Sequence, residues 1–104
     1  MTTHQLQRKP VTVQAVRFNG HNWAEILAFT GEGYFMQVQP RHVPGDGVIV
    51  AEVYSVIHAE WVGVREGQWI VRGVLGELYP VFDSVIRAGY EEPESGWPEW
   101  PSTS

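Results

Sequence analysis

The sequence predicts a small α+β domain, built as a strongly bent antiparallel β-sheet or an SH3-like partial barrel of five to six strands with one short helix at about 23–30. A length of 104 residues leaves room for one hydrophobic core. From Tyr34 onward, apolar and polar residues alternate in short runs separated by glycine and proline, which is typical of a strand meander. Closing such a sheet would remove the exposed strand edges of a small β domain.

The first strand is predicted within residues 10–18, where Val11, Val13 and Ala15 alternate with polar residues. Asn19-Gly20 then breaks the run, because both residue types favour turns.

The helix is predicted from the segment Asn22 to Glu25, which has the form of a capping box. In that motif the Asn22 side chain accepts from the backbone N–H of Glu25, and the Glu25 side chain reaches back. Gly31 stands where a C-terminal cap of positive φ is needed. Spacing at helical period predicts one packing stripe, formed by Trp23, Ile26, Leu27 and Thr30.

The remaining strands are predicted at 34–39, 47–53, 54–64, 68–73 and 77–81, with turns at 44–47 and 65–68 and a helical turn at 83–88. Along 47–64, one alternating set is expected in the core, namely Ile49, Ala51, Val53, Ser55, Ile57, Ala59 and Trp61. The other set is expected to face water, namely Glu52, Tyr54, His58 and Glu60.

A hairpin is predicted between Trp69–Arg72 and Glu77–Val81, closed by residues 74–76. Arg72 and Glu77 are expected to pair across it. The hairpin has a purely structural interpretation, in which its aromatic residues divide between two faces. In the alternative interpretation, Trp69 and Tyr79 form an aromatic binding surface.

The residue types in this sequence give little indication of a catalytic site or a metal site. The chain has no cysteine, so it has no disulfide, thiolate metal site or cysteine nucleophile. His58 and Glu60, two apart on a predicted strand, form either a general-base pair or an ordinary solvated face. We therefore predict no catalytic residues, no metal ligands, no cofactor and no enzymatic activity.

The net charge of −5 is concentrated at the C-terminus. Residues 91–104 carry four Glu and no Lys or Arg, so the first 90 residues are nearly neutral. This balance disfavours nucleic acid as a partner, because phosphate neutralisation needs clustered cations. No signal peptide or membrane span is recognisable, which favours the cytoplasm and no membrane partner.

The sequence therefore divides into a β-rich globular domain at 1–90 and an acidic, Trp- and Pro-rich tail at 91–104. The tail contains Trp97 and Trp100, two of the five Trp residues. Tryptophan is unusual in solvated segments. We expect both to dock, on their own domain or on a neighbouring copy.

Two segments resemble a family of small proteins encoded by bacteriophages and prophages, and the actinobacterial phage branch is most similar. Residues 8–18, Arg-Lys-Pro-Val-Thr-Val-Gln-Ala-Val-Arg-Phe, with the following Asn-Trp-Ala-Glu-Ile-Leu, resemble the family's opening. Residues 60–91, especially Trp61-Val62-Gly63-Val64 and the segments 67–74 and 76–80, resemble its ending, usually Gly-Asp-Trp-Ile-Ile-Lys-Gly-Val-Lys-Gly-Glu-Phe-Tyr-Pro-Cys. Gln68 and Val81 replace the family's Asp and Cys. The resemblance implies a phage origin and supplies no catalytic residues.

These observations predict a non-enzymatic phage accessory protein that binds a host protein or a second copy of itself, a homodimer being one form. Trp is a common anchor of protein interfaces. The candidate binding residues are Trp69, Tyr79, Arg72, Trp97 and Trp100.

One alternative is an anti-defence protein that binds a nucleotide signal, with phosphate contacted by Arg72, Arg65 or Arg41. Another is a minor virion component; the expected location is the host cytoplasm, with the virion left open.

Overall fold

A computed structural model describes residues 3–4, 12–94 and 96–97. Six strands and two short helices are present in this part of the chain, which confirms the predicted α+β class. The elements in chain order are β1 (Gln14–Arg17), α1 (Trp23–Thr30), β2 (Phe35–Val43), β3 (Gly47–Ser55), β4 (Glu60–Val64), β5 (Trp69–Arg72), β6 (Leu78–Val81) and α2 (Asp83–Gly89).

The strands form two three-stranded antiparallel sheets, ordered β1-β5-β6 and β2-β3-β4. Strands β3 and β6 approach each other, so the two sheets share one interior. This arrangement is compatible with the predicted bent sheet or partial barrel. The register of β2 against β3 shifts between Gln37 and Arg41, an irregularity of the kind that bends a sheet.

The main core lies between the sheets and beneath α1. Phe18 is fully buried, and its ring lies 4.8 Å from that of Trp23 and 5.5 Å from that of Phe35. The other buried members are Ile26, Ala51, Val53, Val64, Ile70 and Leu78. The alternation predicted for β3 is confirmed, since the odd-numbered residues from Ile49 to Ser55 are all buried.

Helix α1 has the predicted bounds but not the predicted cap. Glu25 does reach back, but it accepts from Asn22 Nδ2 at 2.6 Å and not from the backbone N–H, and the Asn22 side chain makes no cap hydrogen bond to the helix backbone. Its Oδ1 instead accepts from the backbone N–H of Asn19 at 2.9 Å, and its Nδ2 donates to the carbonyl of Arg17 at 2.8 Å. Asn22 therefore fixes the turn before the helix. Leu27, predicted in the packing stripe, is exposed because it lies toward the edge of the buried face.

The predicted strand 54–64 is interrupted by a turn at 56–59, in which Ala59 has a φ of +52°. The turn reverses the face on which later residues lie. Three residues predicted in the core are consequently exposed, namely Ile57 and Ala59 within the turn and Trp61 after it. His58 lies in the turn and not on a strand beside Glu60, so the predicted pairing geometry is wrong.

The hairpin β5–β6 is confirmed, with Trp69 opposite Val81 and Val71 opposite Tyr79. The predicted ion pair of Arg72 with Glu77 is wrong, because the register places Arg72 opposite Leu78. Glu77 instead accepts a hydrogen bond from the backbone N–H of Leu75 at 2.9 Å and closes the turn. The predicted helical turn at 83–88 is the short helix α2.

Candidate functional site

The predicted aromatic face of β5 and β6 exists, but most of it is covered. Trp69 and Tyr79 lie on the same side of their sheet, in a second small core with Val71 and Ile86. Trp69 is only 6% exposed, and its Nε1 donates to Asp83 Oδ1 at 2.9 Å. Trp69 is therefore a packed core residue with a satisfied polar edge.

Trp97 is part of the cover, which confirms the predicted docking for this residue. Its ring meets that of Trp69 edge to face, with centroids 6.1 Å apart and planes at 75°. The Arg87 guanidinium lies 5.1 Å from the centroid of the Trp97 ring. Both geometries are favourable for aromatic and cation–π attraction. Trp100 lies outside the described residues.

Asp83 connects the parts of this arrangement. The Nε of Arg87 donates to both of its carboxylate oxygens, at 3.0 and 2.8 Å, and Arg17 lies 3.5 Å away. Burial by itself would raise the pKa of Asp83, but hydrogen bonds from Trp69 and Arg87 and the nearby charge of Arg17 outweigh it. The pKa of Asp83 therefore lies below its ordinary value. We call Trp69, Asp83, Arg87 and Trp97 the docked tryptophan cluster.

The other two shifted pKa values belong to neighbours of this cluster. Burial lowers the pKa of Arg17, while the charge of Asp83 acts in the opposite direction. Burial also raises the pKa of Tyr79, and the charges of Tyr90 and Glu77 and a hydrogen bond with Tyr90 add to the effect. All these causes are internal packing and pairing, which is how structural networks perturb pKa values.

Arg72 lies apart from the other predicted binding residues. Its guanidinium stacks 4.4 Å from the Phe29 ring centroid and donates to the Phe29 carbonyl. It also donates to Gln14 Oε1 at 2.8 Å. Arg72 thus ties α1 to the β1–β5 pair, and two of its five N–H donors are used within the protein.

Arg65 borders an open groove of about 550 Å³ with Phe82, Glu66 and Asp46 on its walls. Arg65 donates to the Asp46 carboxylate at 3.1 Å, and its guanidinium lies 5.6 Å from the Phe82 ring centroid. Two carboxylates therefore accompany the arginine. This charge balance gives an anionic phosphate little attraction. Arg41, the third arginine considered for phosphate, is exposed on β2.

A different aromatic surface, absent from the sequence prediction, lies on the sheet β2-β3-β4. The Tyr34 and Tyr54 rings are 6.3 Å apart, and the Tyr54 and Trp61 rings are 5.3 Å apart. Tyr34 is 40% exposed and Trp61 is 38% exposed, with Tyr54 half-buried between them. We call these three residues the exposed aromatic row.

The backbone holds the row in place. Tyr54 is directly opposite Trp61 in the β3–β4 register, and its N–H donates to the Tyr34 carbonyl at 2.8 Å. Met36, which is 40% exposed, and Glu52 face each other across β2 and β3 next to the row. Alternation along residues 47–64 does not reveal the row, because it places Trp61 in the core. The turn at 56–59 changes this placement, but its sequence contains no Gly or Pro that would predict a turn.

No protein-family model, curated protein or solved structure matches the chain. The phage-family resemblance consequently stays a prediction. Within residues 3–4, 12–94 and 96–97, no three potential metal ligands lie close enough together to hold an ion. Over the same residues, neither helix has the length and apolar character needed to cross a membrane.

Proposed function

We propose that this chain is a non-enzymatic accessory protein of a phage that acts by binding another protein through the exposed aromatic row. The supporting observation is a chain of three rings, in which Tyr54 contacts both Tyr34 and Trp61 and the two outer rings are exposed to water. Tyr and Trp are enriched in protein interfaces, because each buries a large area at a small cost in conformational entropy. Because strand pairing already fixes the backbone that carries the row, little backbone conformational entropy should be lost when a partner binds.

The row fits a protein better than a nucleic acid. Bases could stack on the rings, but Glu52 lies two residues before Tyr54 on β3, which places both side chains on one face about 7 Å apart. A carboxylate there would repel the phosphates of a bound strand. The phage origin rests on the motif resemblance of the N-terminal and hairpin segments.

Site-specific photocrosslinking tests the proposal. A photoreactive phenylalanine analogue replaces Tyr34 in the row and, as a matched control, Tyr90 at the end of α2. Both positions hold an exposed tyrosine. Crosslinking in cells of a bacterial host should join one defined protein to the Tyr34 variant and not to the Tyr90 variant. The same pair, purified, should associate, and Trp61→Ala should weaken that association at least tenfold, as for an interface hot spot.

Equal crosslinking at both positions, or reconstituted binding that Trp61→Ala leaves unchanged, would overturn the proposed use of the row. Sedimentation of the purified protein identifies the remaining outcome. A dimer that Trp61→Ala converts to a monomer would make a second copy the partner. In that event the row is still the interface, but the bound protein is the chain itself.

A further inference from the structure

The surface of this protein repeatedly combines an aromatic ring, an arginine and an acidic side chain. Arg87 lies over Trp97 and is held by Asp83, and Arg65 lies near Phe82 and is held by Asp46. In each case the carboxylate fixes the guanidinium, and the guanidinium covers the ring. Partly exposed rings are thereby capped by a cation from the same chain.

The exposed aromatic row has two of these three components. Its rings lie beside Glu52, which is half-buried. Among the described residues, no arginine lies over Tyr34, Tyr54 or Trp61, and no ion pair to Glu52 is formed. Within the described part of the chain, a half-buried carboxylate with no cationic partner therefore lies beside partly exposed aromatic rings, and this combination favours a cation.

We infer that the row is a binding site for a cationic side chain, an arginine or a lysine, presented by the partner protein. This inference rests on the proposed function. A cation within about 6 Å of a ring centroid is attracted to its face, and the Tyr54 and Trp61 centroids, 5.3 Å apart, are close enough for one cation to reach both. The Glu52 carboxylate supplies the opposite charge beside them.

The ring orientations favour this ligand over a flat one. The Tyr34 and Tyr54 planes are inclined at 46°, and the Tyr54 and Trp61 planes are inclined at 58°. Bases that stay stacked on one another have parallel planes, which these inclined rings do not match. Inclined rings present π-faces from different directions, which suits a compact charge or a guanidinium stacked on one ring.

The test uses the full-length protein labelled with ¹⁵N and two short peptides. The probe is acetyl-Gly-Arg-Gly-Arg-Gly-amide, and the control contains citrulline, a neutral analogue of similar shape, in place of each arginine. The indole N–H resonance of Trp61, identified with Trp61→Phe, should shift in a saturable manner with the arginine peptide. The buried Trp69 indole, which is bonded to Asp83, serves as an internal reference that should not move.

The charge requirement is tested with two variants that lose one carboxylate each. Glu52→Gln should weaken binding of the arginine peptide about two- to fivefold, the size expected for one exposed charge contact. Glu91→Gln makes the same change in net charge at an exposed position after α2 and should leave binding unaltered. Retained near-native amide spectra would show that both variants are folded.

Equal shifts with the two peptides would overturn the cation site while leaving the proposed function intact, because the row would then bind chains by apolar contact. The absence of any Trp61 shift, or an equal effect of Glu52→Gln and Glu91→Gln, would also overturn it. Failure of the proposed function is a separate result, seen as loss of selective crosslinking at Tyr34.

Discussion

The two aromatic clusters of this protein each contain tryptophan, and they differ in what lies over their rings. In the docked tryptophan cluster, Trp69 is buried by α2 and by Trp97, which arrives from the C-terminal segment. In the exposed aromatic row, Tyr54 contacts Tyr34 on one side and Trp61 on the other, and the outer two rings are exposed to water. The contrast separates a cluster that stabilises the fold from one to which we have assigned binding as a proposal.

The two clusters also differ in whether their acidic side chain has a hydrogen-bond or ion-pair partner. Asp83 accepts hydrogen bonds from Trp69 and Arg87, so the carboxylate of the docked cluster is fully engaged. Glu52, beside the row, has no such partner among the described residues. The two aromatic surfaces therefore differ in whether parts of the same chain already occupy them.

The largest effect should follow from Trp69→Ala. Removing a buried indole leaves a cavity and withdraws a hydrogen bond from Asp83, so the free energy of unfolding should fall by about 3–5 kcal/mol. Urea denaturation followed by circular dichroism measures the change. A loss below about 1 kcal/mol would mean that Trp69 is not a core residue, and the comparison of the two clusters would fail.

A smaller effect is expected from Trp97→Ala. The side chain is half-buried and contributes an edge-to-face pair and a cation–π contact, so a loss of about 1–2 kcal/mol is expected. The same urea titration checks it. Hydrogen exchange should also quicken in β5 and α2 but not in β2, since only the former pack near Trp97. Uniform quickening would indicate that Trp97 does not act locally.

Asp83 predicts a dependence of stability on pH. Its pKa in the folded protein is below the ordinary value of 3.8, so the folded state favours the ionised form. The stabilisation is therefore complete above about pH 5 and is lost as the pH falls through 4 and below. Asp83→Asn should lower stability by about 1 kcal/mol at pH 7 and by a smaller amount at pH 3, because part of the contribution of the carboxylate is lost there. Thermal denaturation at several pH values measures this, and equal losses at both pH values would contradict it.

The smallest effect on stability should come from Trp61→Ala. Because Trp61 is 38% exposed and its turn and strand are held by backbone pairing, a loss of only about 0.5–1 kcal/mol is expected. Binding of the partner should nevertheless be lost. A loss of stability as large as that of Trp69→Ala would show that the row is structural, and the division between a stabilising and a binding cluster would have to be abandoned.

Much of the fold followed from local patterns. The alternation in β3, the Gly-containing turns and the helical spacing of 23–30 each reflect a constraint that acts within a few residues. The failures share a different cause. Asn22 bonds to the backbone of Arg17 and Asn19 instead of the backbone of its helix, and Arg72 contacts Phe29 and Gln14 instead of Glu77. The hydrogen-bond partners of a polar side chain depend on which groups lie near it in the folded protein, and the spacing of residues along the chain does not specify them.

The candidate site shows the same division. Residue type alone suggested that a tryptophan in an acidic tail should dock, and Trp97 does so. The location of that docking, against Trp69 and Arg87, depends on where α2 packs on β5. The exposed aromatic row depends on the unmarked turn at 56–59, since one reversal of face moves Trp61 from the expected core to the surface beside Tyr54.

The sequence by itself determined the class of fold, most of the strands, the helix at 23–30 and the presence of more aromatic residues than the core contains. Only the tertiary structure decided which of those aromatic residues are covered and which are open. Alternation and turn chemistry constrain the direction of a side chain relative to its own backbone. Coverage is set by contacts between segments far apart in the chain, such as Trp97 with Trp69 and Tyr34 with Tyr54, and such contacts leave no local pattern.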